Sequence, residues 1–361
     1  MSAFEPLPAR LASIGAAVLP DEPSTAPSLN WAIIGAGYIA GLFAADLQCT
    51  QSAAVAVGSR DLTKGQAFAD QFGIPFVGSY EEAMSRPDVD AVYIATPHTF
   101  HKEQALLAID AGKSVMIEKP LAVNAGEAAE IRAAAEAKGV LVMEAMWSRF
   151  LPHYALLRAI VESGELGEIK YVRAEHFQTL RGTERMERPD LAGGALLDLG
   201  VYPASFIEML LGAPKSIHAS GHLTEAGVDE DSIAVLDYPA ATAVLAAHMG
   251  ASSQVAAEVA FTRGQVVLER QFYRPTEIKV VWNGVADGPQ NADSAEPYTE
   301  VWSDVAVDPR GGGLEYEAAA FARAVKAGLT ELPEHGWSSV TNVLEIMDEV
   351  RHQVGVVYPF E

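Results

Sequence analysis

The first part of the chain alternates short, continuously apolar runs with longer amphipathic stretches. Apolar runs rich in Val, Ile and Ala are typical of strands buried on both faces of a parallel sheet. The runs that predict strands are residues 31–35, 53–58, 90–95, 114–118 and 140–145. The stretches that predict helices are residues 38–49, 62–72, 80–85, 100–111 and 125–138. Because strands and helices alternate, we expect a doubly wound α/β domain over residues 31–150.

After about residue 150 this alternation stops. The pattern predicts helices at residues 153–163, near 195–211, 315–327 and 338–354. The runs that predict strands are residues 169–177, 216–223, 231–238, 242–250, 265–272 and 276–282. Since most of these strands follow one another without a helix, we expect an α+β domain with an open, mostly antiparallel sheet over residues 151–361. We expect the last two helices to return to the first domain.

Residues 1–30 differ from both domains, because they carry several prolines and one short apolar stretch at 11–19. Only Arg10 precedes that stretch as a positive charge and no small-residue cleavage pattern follows, so a secretory signal is not predicted. Prolines cannot donate hydrogen bonds to a sheet. We therefore expect an N-terminal extension and linker that folds onto the body or stays mobile.

Composition limits the class of protein. The 361 residues are 49% hydrophobic and 20% charged, which is typical of a soluble globular protein with sizeable cores. No apolar run approaches the roughly 20 residues that span a bilayer. The formal net charge of −23 excludes nucleic acid and anionic membranes as expected partners. The single cysteine, Cys49, cannot form an intramolecular disulfide, so we expect a cytoplasmic protein.

The first predicted strand runs into a glycine-rich turn, GAGYIA, at residues 35–40. Gly35, Gly37 and Ala40 form a G-x-G-x-x-A pattern directly before a predicted helix. The first glycine allows a tight turn, the second lets a pyrophosphate approach the backbone, and the small third residue lets the helix pack on the strand. The helix N-terminus offers N–H groups to the phosphates. Strand, turn and helix together predict a dinucleotide site.

The end of the second predicted strand indicates which nicotinamide cofactor binds. A carboxylate there would accept hydrogen bonds from the adenosine ribose, whereas an arginine can pair with a 2′-phosphate. The sequence has Ser59 and Arg60, followed by Asp61, which we expect to cap the next helix. This pattern favours NADP. NAD is the alternative, in which Arg60 would only stack over the adenine.

Two further predicted strands run into polar loops, TPHTFH at 96–101 and EKP at 118–120. Doubly wound sheets bind ligands at the carboxyl ends of their strands. Lys119 would then face the nicotinamide, whose positive ring prepares the lysine for proton exchange with a substrate hydroxyl. An ordinary surface lysine is the alternative. His98 and His101 lack a third ligand run, so no metal is expected. The candidate cofactor-binding residues are Gly35, Gly37, Tyr38, Ile39, Ala40, Ser59, Arg60, Thr96, Pro97, His98, His101, Glu118 and Lys119.

GAGYIA, TPHTFH and EKPLAVN, in this order and spacing, resemble the glucose-fructose oxidoreductase/inositol dehydrogenase (Gfo/Idh/MocA) family. Three later segments resemble its dimeric dihydrodiol dehydrogenase and NADP-dependent D-xylose dehydrogenase branch. They are MEAMWSRFLPHY (143–154), GELGEIKYVRAEH (164–176) and AGGALLDLGVYP (192–203). The resemblance covers nearly everything from residue 31 onwards. It implies a Rossmann domain followed by an open-sheet domain that often forms a homo-oligomer interface, as a dimer or tetramer.

The resemblance also implies catalytic residues. Lys119 matches the lysine of the family, Asp198 its substrate-orienting carboxylate, and Tyr202 a position where many members carry histidine. Asp198 and Tyr202 are four residues apart on a predicted helix and therefore share a face. We expect Tyr202, assisted by Lys119, to take the hydroxyl proton while hydride passes to the cofactor. The alternative for Tyr202 is packing at the domain interface.

The family acts on a secondary alcohol, ketone or hemiacetal, which for this branch belongs to a sugar, an anhydro-sugar or a dihydrodiol. The candidate substrate residues are Trp147, Arg149, His176, Asp198 and Tyr202. Two other functions stay open on the same fold. One is a non-catalytic NAD(P)-binding sensor, although Lys119, Asp198 and Tyr202 argue for catalysis. The other is glycoside hydrolysis through a transient redox step.

Overall fold

A computed structural model of the protein describes residues 7–15, 19–283, 298–303 and 312–361. It contains a six-stranded and an eight-stranded sheet. The predicted fold class is confirmed, because the first sheet is parallel and the second is mostly antiparallel. The described helices are α1 (Ala9–Gly15), α2 (Tyr38–Asp46), α3 (Leu62–Phe72), α4 (Tyr80–Met84), α5 (His101–Asp110), α6 (Ala125–Lys138), α7 (Pro152–Ser163), α8 (Val201–Leu211), α9 (Leu314–Ala327) and α10 (Trp337–Val354).

The first sheet has the strand order β3-β2-β1-β4-β5-β6. Its strands are β1 (Asn30–Ile34), β2 (Ala53–Gly58), β3 (Phe76–Gly78), β4 (Ala91–Ile94), β5 (Ser114–Glu118) and β6 (Val142–Ala145). Every residue of β4 and β6 is buried, and so is every residue of β1 and β5 except the first. This burial explains their continuously apolar sequences. The strand order reverses at β1, so a crevice opens between the carboxyl ends of β1 and β4.

The second sheet has the order β14-β13-β12-β11-β7-β10-β9-β8. Its strands are β7 (Ile169–Phe177), β8 (Ser216–Leu223), β9 (Asp229–Asp237), β10 (Thr242–His248), β11 (Ala257–Phe261), β12 (Gly264–Leu268), β13 (Glu277–Trp282) and β14 (Tyr298–Ser303). Strands β7 and β10 pair in parallel at its centre. Buried and more exposed positions alternate along β10, β11 and β12, as expected when only one face of a sheet is covered.

Some element boundaries differ from the sequence prediction. The predicted strand at 265–272 ends at Leu268, and the following residues form a loop that reaches the candidate site. Strands β3, β11 and β14 were not predicted. Strand β3 has only three residues, too few to establish a period. The predicted helix near 195–211 begins with a π-helical turn, Leu196–Gly200, before α8.

One stretch, Pro189–Leu211, is long and apolar enough to span a membrane by length and composition alone. This differs from the sequence expectation that no run approaches that length. The most apolar part of the stretch is 78% buried inside the fold. Its side chains pack between the second sheet and helix α10, so its apolar character is explained by its place in the core.

The two chain ends pack against the body. Helix α1 lies on α7, with Leu11 fully buried, and the Glu300 carboxylate accepts hydrogen bonds from the N–H groups of Arg10 and Leu11. Parts of the predicted extension, residues 1–6 and 16–18, lie outside the described residues. Helix α9 packs on α2 of the first domain, and α10 packs on both α6 and α8. Helix α9 therefore contacts the first domain, and α10 contacts both domains.

Candidate active site

The glycine-rich turn forms one wall of the crevice. Gly35 has φ +104°, and a Cβ there would lie 2.8 Å from the carbonyl oxygen of Ala95, so only glycine fits without strain. Above Gly37, in contrast, no described atom lies within 4 Å of an added Cβ. No side chain caps the N-terminus of α2 that follows, so its first N–H groups are free to bind an anion. Tyr38 is exposed, Ile39 half-buried and Ala40 buried. The turn therefore fits a dinucleotide pyrophosphate.

The end of β2 forms an open pocket beside this turn. Ser59 donates a hydrogen bond to the carbonyl oxygen of Asp61 at 2.8 Å. The Asp61 carboxylate accepts from the N–H groups of Thr63 and Lys64 and caps α3, as predicted. The Arg60 guanidinium lies 4.9 Å from the centre of the Phe100 ring. This pocket has the position to hold the adenosine end of a nicotinamide cofactor, with Arg60 as the cation in its lining beside three glutamates, Glu81, Glu82 and Glu103.

The loop after β4 carries two histidines with different roles. Both ring nitrogens of His101 face backbone carbonyls, Nδ1 that of Pro120 at 3.0 Å and Nε2 that of Thr96 at 2.9 Å. His101 therefore ties the two loops together, and we correct its assignment as a cofactor ligand. Pro97 starts the 3-10 turn in which His98 lies. Within the described residues, the buried Nδ1 of His98 has no partner. Burial, followed by the nearby His101, lowers the pKa of His98 well below its usual value, so this imidazole is neutral.

Glu118, the last residue of β5, holds the start of the loop that follows this strand. Its carboxylate accepts hydrogen bonds from the Tyr93 hydroxyl at 2.5 Å and from the N–H of Lys119 at 3.2 Å. Burial raises the pKa of Glu118 to about 7, although the positive charge of Lys119 opposes the shift. The peptide between Lys119 and Pro120 is cis. Glu118 is buried and its carboxylate bonds to Tyr93 and to the backbone of Lys119, so it orients the loop that carries Lys119.

Lys119 and Asp198 come together across the two domains. The Lys119 ammonium lies 2.8 Å from the backbone carbonyl oxygen of Asp198 and 3.1 Å from its Oδ1. Arg185 donates to the other carboxylate oxygen at 3.0 Å. Burial alone would raise the pKa of Asp198, but the charges of Lys119 and Arg185 outweigh it and hold the pKa well below its usual range. Asp198 is therefore an ionised acceptor at any working pH.

Tyr202 lies beside this ion pair. The Lys119 ammonium is 5.0 Å from the centre of the Tyr202 ring, over its face, while the Tyr202 hydroxyl accepts a hydrogen bond from Trp147 at 3.2 Å. Burial raises the pKa of Tyr202 well above its usual value, and the charge of Glu118 adds to the shift. Tyr202 is thus a protonated phenol in this arrangement. The raised pKa makes this phenol a weak acid, so a nearby cation must stabilise its phenolate before it can take part in proton transfer in either direction.

An aromatic wall closes the site. The Tyr273 ring stacks on His176 with 4.6 Å between ring centres, and lies 4.4 Å from Tyr202 and 6.1 Å from Trp147. Burial lowers the pKa of His176 to about 4, so the ring is neutral at physiological pH. The wall offers neutral π surfaces that can pack against the C–H face of a ring.

Sequence reasoning missed Tyr273 and Arg185. Tyr273 lies in the loop after β12, directly after the predicted strand at 265–272. Arg185 lies in the irregular segment before the π-helical turn. A positive φ of 41° at Gln271 breaks the strand, and a non-glycine residue gives no sequence signal for it.

Arg149 requires a second correction. It is buried, and its guanidinium donates to the Ser205 hydroxyl at 2.8 Å, to the Ser205 carbonyl at 2.7 Å and to Glu208 at 2.8 Å. These partners lie on α8 and, together with the Ser339 hydroxyl, engage the guanidinium. We therefore place Arg149 in the framework between the domains and not among the residues that contact substrate.

Comparison with known protein families agrees with this architecture. Residues 29–146 match the model of an oxidoreductase family with an NAD-binding Rossmann fold, and residues 154–267 match the model of the GFO/IDH/MocA C-terminal domain. The two matches cover most of the chain, including the whole first sheet and the strands β7 to β11 of the second.

Individual relatives extend this similarity over nearly the whole chain. Trans-1,2-dihydrobenzene-1,2-diol dehydrogenase of Mus musculus is 35% identical over 339 residues, 92% of this chain and 98% of that protein. A 3-ketoreductase from Actinomadura kijaniata, solved with NADP and TDP-benzene, is 27% identical with a TM-score of 0.76 over 91% of this chain and 98% of its own. Levoglucosan dehydrogenase, in complex with NADH and levoglucosan, has the same fold, with a TM-score of 0.77, 20% identity and the same coverage of 91% and 98%. The chain therefore belongs to the Gfo/Idh/MocA family and is an NAD(P)-dependent dehydrogenase of CH–OH groups.

Proposed function

We propose that this protein is an NADP-dependent oxidoreductase that transfers a hydride between nicotinamide and a secondary alcohol, ketone or hemiacetal of a sugar, anhydro-sugar or dihydrodiol. The observation that carries the proposal is the Lys119, Asp198 and Tyr202 cluster. It lies at the carboxyl end of β5, next to the phosphate-binding turn, where the reacting carbon of a bound cofactor would be presented.

The cofactor, when bound, supplies the hydride donor or acceptor. The open space above Gly37 and the uncapped N-terminus of α2 would hold its pyrophosphate. Arg60 would pair with the 2′-phosphate, because the neighbouring Asp61 is engaged in capping α3. His98, neutral and with an unpartnered Nδ1 in the described structure, would face the nicotinamide side of the crevice.

The proton moves through the chain's own residues. Tyr202 is protonated and lies beside the Lys119 ammonium, so in the reductive direction it donates a proton to the substrate oxygen. In the oxidative direction Tyr202 first loses its proton to solvent, and the phenolate, stabilised by the Lys119 ammonium, then takes the hydroxyl proton. Asp198 holds the Lys119 ammonium in place, and each of its carboxylate oxygens retains a lone pair for a substrate hydroxyl.

Two lines of evidence support a cyclic polyol or diol as substrate. The relatives are named for a dihydrobenzene diol, and one structural neighbour binds levoglucosan. In this chain, the Tyr273, His176 and Trp147 wall offers stacking surfaces for either a sugar ring or a diene ring.

A panel of aldoses, anhydro-sugars and dihydrodiols, assayed by absorbance of the reduced nicotinamide with NADP and with NAD, tests the proposal. We expect activity on at least one member, with Lys119→Ala lowering kcat about 10²–10⁴-fold. We expect Arg60→Ala to lower kcat/KM for NADP about 10-fold or more and to leave NAD nearly unchanged. Arg132→Ala, on the exposed face of α6, is the control. Full activity of Lys119→Ala would refute the mechanism, and release of an aglycone without net reduction would indicate the hydrolase alternative.

A further inference from the structure

A buried hydrogen-bond network begins at the Lys119 loop. The N–H of Leu121, two residues beyond Lys119, donates to Glu144 Oε1 at 2.7 Å. The other oxygen of Glu144 lies 2.5 Å from His335 Nε2. Glu144 and His335 are 1% and 3% exposed, so water cannot replace either partner. The position of the loop is thus coupled to a histidine from the segment between α9 and α10.

The network continues from His335 to helix α8. His335 Nδ1 lies 3.1 Å from the Ser339 hydroxyl, which in turn hydrogen bonds to Glu208. Glu208 forms an ion pair with Arg149, which also holds Ser205. Ser205 lies one turn after Tyr202 on the same helix. The network therefore connects the backbone beside Lys119 to helix α8, which carries Tyr202.

Hydrogen-bond counting determines where the protons lie. Ser339 has one O–H and two lone pairs. Its O–H goes to the Glu208 carboxylate, which can only accept because the charge of Arg149 keeps it ionised. Ser339 must then accept from His335 Nδ1–H and from Arg149. This leaves a single proton between His335 Nε2 and Glu144 Oε2, so the pair is neutral overall, as a fully buried site requires.

We propose that His335 is a positioning residue for catalysis, which orients Glu144 so that Glu144 holds the Leu121 amide and thereby sets Lys119 against Tyr202 and Asp198. The inference rests on the proposed function, in that Lys119 must act in the reaction. The His335 side chain is fully buried, with Glu144 and Ser339 as its hydrogen-bond partners. When the hydrogen bond from His335 is lost, the Glu144 side chain can rotate, or its carboxylate stays buried with an uncompensated charge. Either change displaces the loop that carries Lys119.

Two polar variants separate the two hydrogen bonds of His335. The asparagine of His335→Asn places its amide near the Nδ1 position. It can keep the hydrogen bond to Ser339, but it is too short to reach Glu144. Glutamine in His335→Gln places an amide near the Nε2 position and restores the contact with Glu144. We expect His335→Asn to lower kcat roughly 10- to 100-fold, with the Kd of NADPH and the substrate KM within about threefold of the original. We expect His335→Gln to recover most of kcat.

Four further measurements complete the test. Hydrogen exchange of the Leu121 amide should accelerate in His335→Asn while thermal unfolding still shows a folded protein. His352→Gln, an exposed histidine on α10, should leave kcat unchanged. An unchanged kcat in His335→Asn, or equal losses in both His335 variants, would overturn the positioning role. Lys119→Ala, measured in parallel, reports separately on the proposed function, because its full activity would refute the function and not merely the positioning.

Discussion

At the scale of single residues, the environment shifts the pKa values of two neighbouring carboxyl groups in opposite directions. Asp198 faces two cations, which hold its pKa well below the usual range despite its burial. Glu118 accepts two hydrogen bonds but has no cation in contact with its carboxylate in the described structure, and burial raises its pKa to about 7. The difference arises because nearby charge outweighs desolvation at one site and not at the other.

The raised pKa of Glu118 predicts how stability depends on pH. Its folded pKa of about 7 exceeds the reference value of 4.5, so the folded state binds this proton more tightly. The stabilisation is complete below pH 4.5 and is lost as pH rises through about 7. We expect Glu118→Gln to remove up to roughly 3 kcal/mol of this dependence. Urea unfolding at pH 5 and pH 8, with Glu225→Gln as a surface control, checks it. Identical pH dependence in the parent and Glu118→Gln would contradict the prediction.

At the scale of elements, the π-helical turn Leu196–Gly200 decides the geometry of the site. Asp229 accepts a hydrogen bond from the N–H of Leu196 at 2.7 Å and anchors the start of this turn. The wider turn leaves the carbonyl of Asp198 available to Lys119 at 2.8 Å. A regular α-helix would engage that carbonyl within the helix, so the turn creates one of the two contacts that hold the lysine.

The glycine-rich turn predicts opposite outcomes for two alanine substitutions. Gly35→Ala places a Cβ 2.8 Å from the Ala95 carbonyl at φ +104°, so we expect it to lose about 1–3 kcal/mol of stability. Gly37→Ala meets no described atom within 4 Å, so we expect normal stability and a loss of NADPH binding, because the Cβ enters the space for the phosphates. Thermal unfolding and NADPH fluorescence titration measure both effects. Unimpaired NADPH binding by Gly37→Ala would place the cofactor elsewhere.

At the scale of the whole molecule, one face of the second sheet lacks a covering layer in the described chain. Ile233 and Val235 on β9 are 47% and 41% exposed. They pair laterally with Ala246 and Val244 on β10, so the four side chains form one apolar patch. We propose that a second copy of the chain covers this patch in a homo-oligomer, as the family resemblance implies.

Charge on this patch should disrupt the oligomer. We expect Val235→Arg to shift the mass measured by light scattering towards the monomer, because an arginine buried at an interface lacks a partner. Leu329→Arg, at an exposed apolar position after α9, is the matched control and should not change the mass. A monomeric parent protein at micromolar concentration would exclude this interface.

The sequence predicted more of the fold than of the site's geometry. Five of the six strands of the first sheet were predicted, because their sequences are continuously apolar, as is typical of strands buried on both faces. Short strands such as β3 lack a readable period, and the loop carrying Tyr273 had the alternation of a strand. His101 was predicted to bind the cofactor and Arg149 the substrate, yet their hydrogen-bond partners lie on distant segments and place both in the framework.

The sequence by itself determined the parallel and antiparallel sheets, the glycine-rich turn and the residue types available for proton transfer. These features depend on local periodicity and on backbone constraints within a few residues. Only the tertiary structure decided that Arg185 joins Lys119 on Asp198, that Tyr273 completes the wall, and that His335 reaches Glu144. These contacts join residues far apart in the chain. Their energies depend on burial and on charges that no local pattern records.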